Sequence, residues 1–221
     1  MKTVLHVSVS PREYTPGKVK HQSISRLLAA QFIDCFGLTI GEFKVIHRDL
    51  AVSPPKFIDL EFISACFAKG DLTQEQRLAL SESDILINEI MQADVIVIST
   101  PMYNYGMPAV LKAWFDQVIR INKTFSFDLT RDGSPLRPIL DNKTVVLLAS
   151  WGESGFAEGE KRREQNHLSS HIKQLAPFLG ATQFFEVASQ YQEYGSDAFE
   201  QSKDAALTHA SALAQSLAKV Q

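Results

Sequence analysis

The chain has 221 residues, 45% of them hydrophobic, with a formal net charge of −3 and a pI near 6.1. A chain of this size buries a sizeable core without disulfides or metal, and one domain is expected. The near-neutral balance lacks the basic face of a nucleic-acid binder, so no DNA or RNA partner is expected.

Thr3 to Ser8 opens the chain as a short apolar strand. A polar loop follows from Ser10-Pro11-Arg12 through Pro16-Gly17 to His21-Gln22-Ser23, and Ile24, Leu27, Leu28, Phe32 and Ile33 then recur at helical spacing. Phe43, Val45 and Ile46 supply a second strand that ends near Arg48-Asp49-Leu50, after which Pro54-Pro55 opens an irregular connection. Thr73-Gln74-Glu75-Gln76 has capping-box spacing and starts a helix expected to reach about Ala93. Asp94 to Thr100 is a strand buried on both faces, because Val95-Ile96-Val97-Ile98 leaves no polar face. It breaks into Pro101-Met102-Tyr103-Asn104-Tyr105-Gly106, and a helix follows over Ala109 to Ile121 with Leu111, Trp114, Phe115 and Val118 on one face.

Phe125 to Asp141 reads as a surface insertion, a small hairpin or lid, because Asp132-Gly133 is a turn signal. Thr144 to Ala149 is a fourth main strand, ending in Ser150-Trp151-Gly152-Glu153-Ser154-Gly155. A helix near Gln165 to Leu179, a fifth strand at Thr182 to Val187 and an Ala-rich helix from Ser196 complete the alternation. Five strands alternating with five helices predict an α/β fold, a doubly wound five-stranded parallel sheet with the flavodoxin-like order 2-1-3-4-5. That order gathers the loops after strands one, three and four around one crevice, where open α/β sheets bind ligands.

Met1 to His6 carries one charge and too short an apolar run for a signal peptide, and no apolar run approaches the roughly 20 residues of a membrane span. Cys35 and Cys66 stand far apart with no CxxC, as reduced thiols do, so a cytoplasmic location is expected. No GxGxxG follows the first strand and no GxxxxGK[ST] occurs, so neither a dinucleotide fingerprint nor a P-loop is present. Gly152-Glu153-Ser154-Gly155 falls short of a nucleophile elbow. His167 and His171 share a helical face without a third ligand, so no metal is expected. What remains is a site of loop dipoles: Ser10, Gln22 and Ser23 as donors, and the start of the first helix as a seat for phosphate.

Pro101-Met102-Tyr103-Asn104-Tyr105 followed by Leu111-Lys112-Ala113-Trp114-Phe115-Asp116 resembles the signature of the FMN-dependent NADH-quinone oxidoreductases and azoreductases of the flavodoxin-like superfamily. The likeness covers nearly the whole chain, through the Ser10 to Ser23 loop, Arg48-Asp49-Leu50 and Phe178-Leu179-Gly180. It implies FMN with its phosphate at Ser10, His21, Gln22 and Ser23. The isoalloxazine would lie against Pro101, Met102, Tyr103, Asn104 and Tyr105, with Ser150, Trp151 and Gly152 at its pyrimidine edge. Trp151 and Glu153 depart from the paired glycines common in similar enzymes.

The implied reaction is ping-pong: NADH or NADPH gives hydride to flavin N5, and a quinone or azo compound then takes two electrons. No catalytic side chain is implied, since the flavin carries the chemistry. A homodimer is implied as well, with Trp114, Phe115, Phe125 and Phe127 as exposed aromatics for the interface, core packing being their alternative and favoured more for Phe115 than for Phe125. The alternative is a flavodoxin-type FMN electron carrier without NAD(P)H turnover of its own. The mild acidity and the long Asp49 to Leu72 and Phe125 to Asp141 connections favour the enzyme.

Overall fold

The computed structural model describes residues 1–17 and 22–219. Its main sheet contains β1 (Thr3–Ser8), β2 (Lys44–Asp49), β3 (Val95–Pro101), β6 (Lys143–Ser150) and β7 (Ala181–Ser189). They are all parallel, in the order β2-β1-β3-β6-β7. Counting only these five, the order is the expected 2-1-3-4-5. The intervening β4 (Phe125–Phe127) and β5 (Leu136–Pro138) pair antiparallel in a separate hairpin, as the Asp132-Gly133 turn predicts.

Both faces of the sheet are covered, which is why its central strands read as unbroken apolar runs. On one face Val4, Val97, Val146 and Leu148 pack under α1 (Ile24–Ile40) and α6 (Asp197–Lys219). On the other, Leu5, Ile96, Ile98 and Leu147 meet α3 (Gln74–Gln92), α4 (Ala109–Val118) and α5 (His167–Leu175). α3 begins at the expected capping box: the Gln76 N–H donates to Thr73 Oγ1 over 3.2 Å, and Gln76 Oε1 accepts the Thr73 N–H over 2.9 Å.

Four expectations are corrected. The connection after Pro54-Pro55 contains a short helix, α2 (Leu60–Cys66), capped by Asp59 and packed on α3 through Phe62, Ala65 and Leu80. α4 stops at Val118 rather than Ile121, because Thr124 Oγ1 takes the Arg120 N–H and donates to the Val118 carbonyl, closing a loop over the helix end. The helix expected from Gln165 is a 3₁₀ turn at Arg163–Gln165, then α5 capped by Asn166, then a second 3₁₀ turn at Ala176–Leu179 around Pro177. Trp114 and Phe115 are not exposed interface aromatics: they are fully buried, edge to face with ring centroids 5.0 Å apart. Phe125 is half-buried and Phe127 exposed.

Among the described residues no helix is long and apolar enough to cross a membrane. Cys35 and Cys66 are free, half-buried thiols.

Candidate functional site

Register decides where the loops meet. Ser8 stands beside Ser99, Pro101 beside Ser150 and Ser150 beside Ser189, so the chain leaves β1, β3, β6 and β7 at one edge of the sheet. The Val9 N–H donates to the Ser99 carbonyl (3.0 Å), Met102 N–H to Ser150 (2.9 Å) and Trp151 N–H to Ser189 (2.8 Å), tying each departing loop to its neighbour. A cleft of about 290 Å³ opens there, and a second of about 180 Å³ adjoins it.

The first cleft has a donor-rich end. Ser10 and Ser23 line it, both buried, with Arg12 and Ile24 beside them. Ser23 is the N-cap of α1: its Oγ accepts the Arg26 N–H over 3.3 Å and lies 3.2 Å from Ser25 Oγ. The first N–H groups of a helix have no intrahelical partner and carry the positive end of its dipole, so this end suits an anion.

The Ser10 loop is held from beneath by Arg26. Its Nε and Nη2 donate to the Ser10 carbonyl over 3.0 and 2.6 Å, while Nη1 and Nη2 donate to the Asp49 carboxylate over 2.7 and 2.9 Å. Burial pushes the Asp49 carboxyl up, but the Arg26 hydrogen bonds and charge and the N–H groups of Ala51 and Val52 outweigh it, leaving it below the usual range. Nearby, His6 Nε2 lies 2.8 Å from Ser99 Oγ. Burial, with the His47 and Arg26 charges, pulls His6 down to about 3, so it is neutral at pH 7.

The second cleft is a shelf. Tyr103 and Gly106 exchange backbone hydrogen bonds of 3.0 and 2.9 Å around Asn104 and Tyr105, whose φ values are 47° and 64°. Two central residues at positive φ are the pattern of a type I′ turn. The Tyr105 carbonyl accepts the His167 N–H over 2.9 Å, and its ring meets Phe156 edge to face at 6.0 Å. Phe156 also carries the Arg162 guanidinium 4.4 Å above its centroid, and Arg162 pairs with Glu153.

Of the residues singled out from sequence, Ser10, Ser23, Pro101, Met102, Tyr103, Ser150 and Gly152 line the first cleft, and Met102, Gly152, Asn104 and Tyr105 line the second. His21 lies outside the described residues. The Gln22 side chain is turned to its own loop, Oε1 accepting the Thr15 N–H over 2.9 Å. Trp151 contributes backbone to the strand end, but its indole is buried in the core against Phe156. Gln192 and Glu193, after β7, line the first cleft and escaped the sequence reading; their only signal was Gly152, which Glu193 packs against.

Hydroxyl and N–H donors at one end, a flat backbone shelf at the other and a glycine between them fit a phosphate carried on a planar ring. Fold and clefts together define a flavodoxin-like α/β protein with a site for such a group at the carboxyl edge of its sheet.

A family model described as flavodoxin-like fold matches residues 2–214. The FMN-dependent NADH:quinone oxidoreductase 2 of Colwellia psychrerythraea is 47% identical over 203 residues, 91% of this chain and 93% of that protein. Its namesake in Idiomarina loihiensis is 45% identical over 218 residues, 98% of this chain and 91% of that one. An FMN-dependent NADH-azoreductase of Bacillus anthracis, solved in complex with FMN, shares the fold at a TM-score of 0.83 and 17% identity, over 99% of this chain and 100% of that one. The chain belongs to the flavodoxin-like family, with the FMN-dependent NADH:quinone oxidoreductases.

Proposed function

We propose that this protein uses NADH or NADPH to reduce quinones or azo compounds by two electrons through bound FMN. The observation that carries this is the meeting of the Ser10/Ser23 donor end with the Met102 to Tyr105 shelf across Gly152. Identity of 47% to a named FMN-dependent NADH:quinone oxidoreductase supports the same reading.

FMN, when bound, would supply two-electron chemistry, with its N5 as the atom that accepts hydride. The chain's own residues bind, orient and polarise. Ser10, Ser23 and the α1 N-terminus would hold the phosphate, and Arg26, bonded to the Ser10 carbonyl, preorganises the loop. The backbone of Met102, Tyr103, Asn104 and Tyr105 would bear the ring, and the Gly152 N–H would stabilise charge at its edge. No side chain acts as nucleophile. Donor and acceptor use the open side of the shelf in turn, which makes the kinetics ping-pong.

The working unit in this proposal is a homodimer. Phe57, Leu60 and Phe67, on and around α2, are the exposed apolar side chains that a second subunit would cover. Reconstitution of apoprotein with FMN, followed by NADH or NADPH oxidation with menadione or methyl red, tests the reading. Flavin uptake with parallel-line kinetics supports it, and no uptake refutes it. Light scattering checks the dimer, which a monomer at micromolar concentration would contradict.

A further inference from the structure

The two clefts share three lining residues: Met102, Gly152 and Glu193. A ligand with its phosphate at Ser10 and Ser23 and its ring at Asn104 and Tyr105 therefore passes through the neck they form. Met102 and Gly152 belong to segments already assigned to the cofactor. Glu193 does not, and among the described residues it is the one carboxylate lining the first cleft; Glu153, in the second, is paired with Arg162.

Its place is set by backbone. Beyond β7 the chain continues to pair with the loop after β6: Gln192 N–H donates to the Trp151 carbonyl over 3.2 Å, Glu193 N–H to Gly152 over 3.0 Å and Tyr191 N–H to Glu153 over 3.2 Å. Gln190 Oε1 accepts the Gly155 N–H over 2.9 Å, closing the same junction, and Tyr191 takes a φ of 66° to turn the chain. The side chain then lies directly on Gly152. A Cβ added to that glycine would stand 2.7 Å from both Glu193 Cδ and Oε1, a separation real Cβ atoms essentially never show.

We propose that Glu193 contacts the bound cofactor at the neck and sets its reduction potential and hydrogen-bond specificity. This rests on the FMN reading above. A carboxylate only accepts hydrogen bonds, so it selects an N–H or O–H of the oxidised cofactor. Hydride transfer from NADH brings two electrons and one proton into the cleft and so adds one negative charge. A fixed carboxylate at the neck opposes that charge, holding the potential down and making the reduced enzyme a stronger donor to its acceptor.

The test is the two-electron midpoint potential of the FMN-loaded protein, by equilibration with a reference dye, alongside apoprotein titration with FMN. Glu193→Gln removes the charge and keeps the shape. It is expected to raise the affinity for reduced relative to oxidised FMN at least tenfold, about 30 mV upward. Glu193→Asp should stay near wild type. Gly152→Ala, which displaces the carboxylate without changing net charge, should move the potential the same way as Glu193→Gln. Wild-type flavin binding with an unchanged or lowered potential in Glu193→Gln overturns the role of Glu193 alone. Failure of the wild-type chain to bind FMN overturns the parent reading, and this one with it.

Discussion

Removing the Arg26 guanidinium should cost both stability and cofactor affinity, for one reason. The side chain makes four hydrogen bonds, two to the Ser10 carbonyl and two to Asp49, and joins the first loop, α1 and the end of β2. Hydrogen bonds to charged groups contribute about 1.5–3 kcal/mol each in mutational series. These four share donors, and the two side chains retain 18% and 30% exposure, so they do not add. Arg26→Met, which keeps the apolar stem, should destabilise the apoprotein by about 2–3 kcal/mol, lowering Tm by roughly 5–10 °C in a chain of this length.

Freeing the Ser10 carbonyl also lets the phosphate loop move, and a loss of about 1.4 kcal/mol there is a tenfold weaker Kd for FMN. Arg26→Lys restores the charge but not the fork and should fall between. Thermal melts of apoprotein and flavin-fluorescence titrations read the two effects. A variant melting within about 1 °C of wild type and binding FMN within about twofold would refute the reasoning. The pH dependence has a definite sign. Asp49 is held below its unfolded pKa of about 3.9, so its stabilisation is complete above that value and is lost as pH falls through the folded pKa. Asp49→Asn should flatten that acid limb.

Other expectations follow from single contacts. His6 titrates near 3 folded and near 6.5 unfolded, so the unfolded chain binds the extra proton and stability falls below pH 6.5 by up to about 1.4 kcal/mol per pH unit; His6→Asn should remove that slope in urea melts between pH 6 and 4. Lys143, buried at the opposite end of β6, donates to the carbonyls of Ala93 (2.6 Å) and Met91 (3.2 Å) at the end of α3. Lys143→Met should cost about 1–3 kcal/mol by thermal melting and leave the FMN Kd unchanged. Asn104→Val places a β-branched residue at a φ of 47°, costing about 1–2 kcal/mol, and should weaken FMN binding more than it lowers Tm.

How far the sequence speaks depends on whether a signal is local. The central strands β3 and β6 were legible because Val95 to Ile98 and Val145 to Leu148 are buried and contain no polar break, whereas the edge strands β2 and β7 are half-exposed and mix polar with apolar residues. Thr73 announced its helix because cap and helix start are adjacent in sequence. α2 was not legible: only Phe62 and Ala65 of its seven residues are buried, and Leu60 and Ile63 face outward, so no amphipathic period stands out. Trp114 was misjudged because an aromatic on a helix face looks the same whether that face meets the sheet or a partner. At the site, Ser10 and Met102 to Tyr105 follow directly from strand ends. Arg26 and Glu193 do not, since each reaches its partner only through pairing of segments 16 to 41 residues apart.

The most direct test is anaerobic. Purified protein loaded with FMN is mixed with NADH and no other protein, and menadione is then added. The account predicts that the visible flavin band bleaches with NADH and returns with the quinone. A band that stays oxidised until a separate reductase is supplied would make the protein an electron carrier and contradict the account.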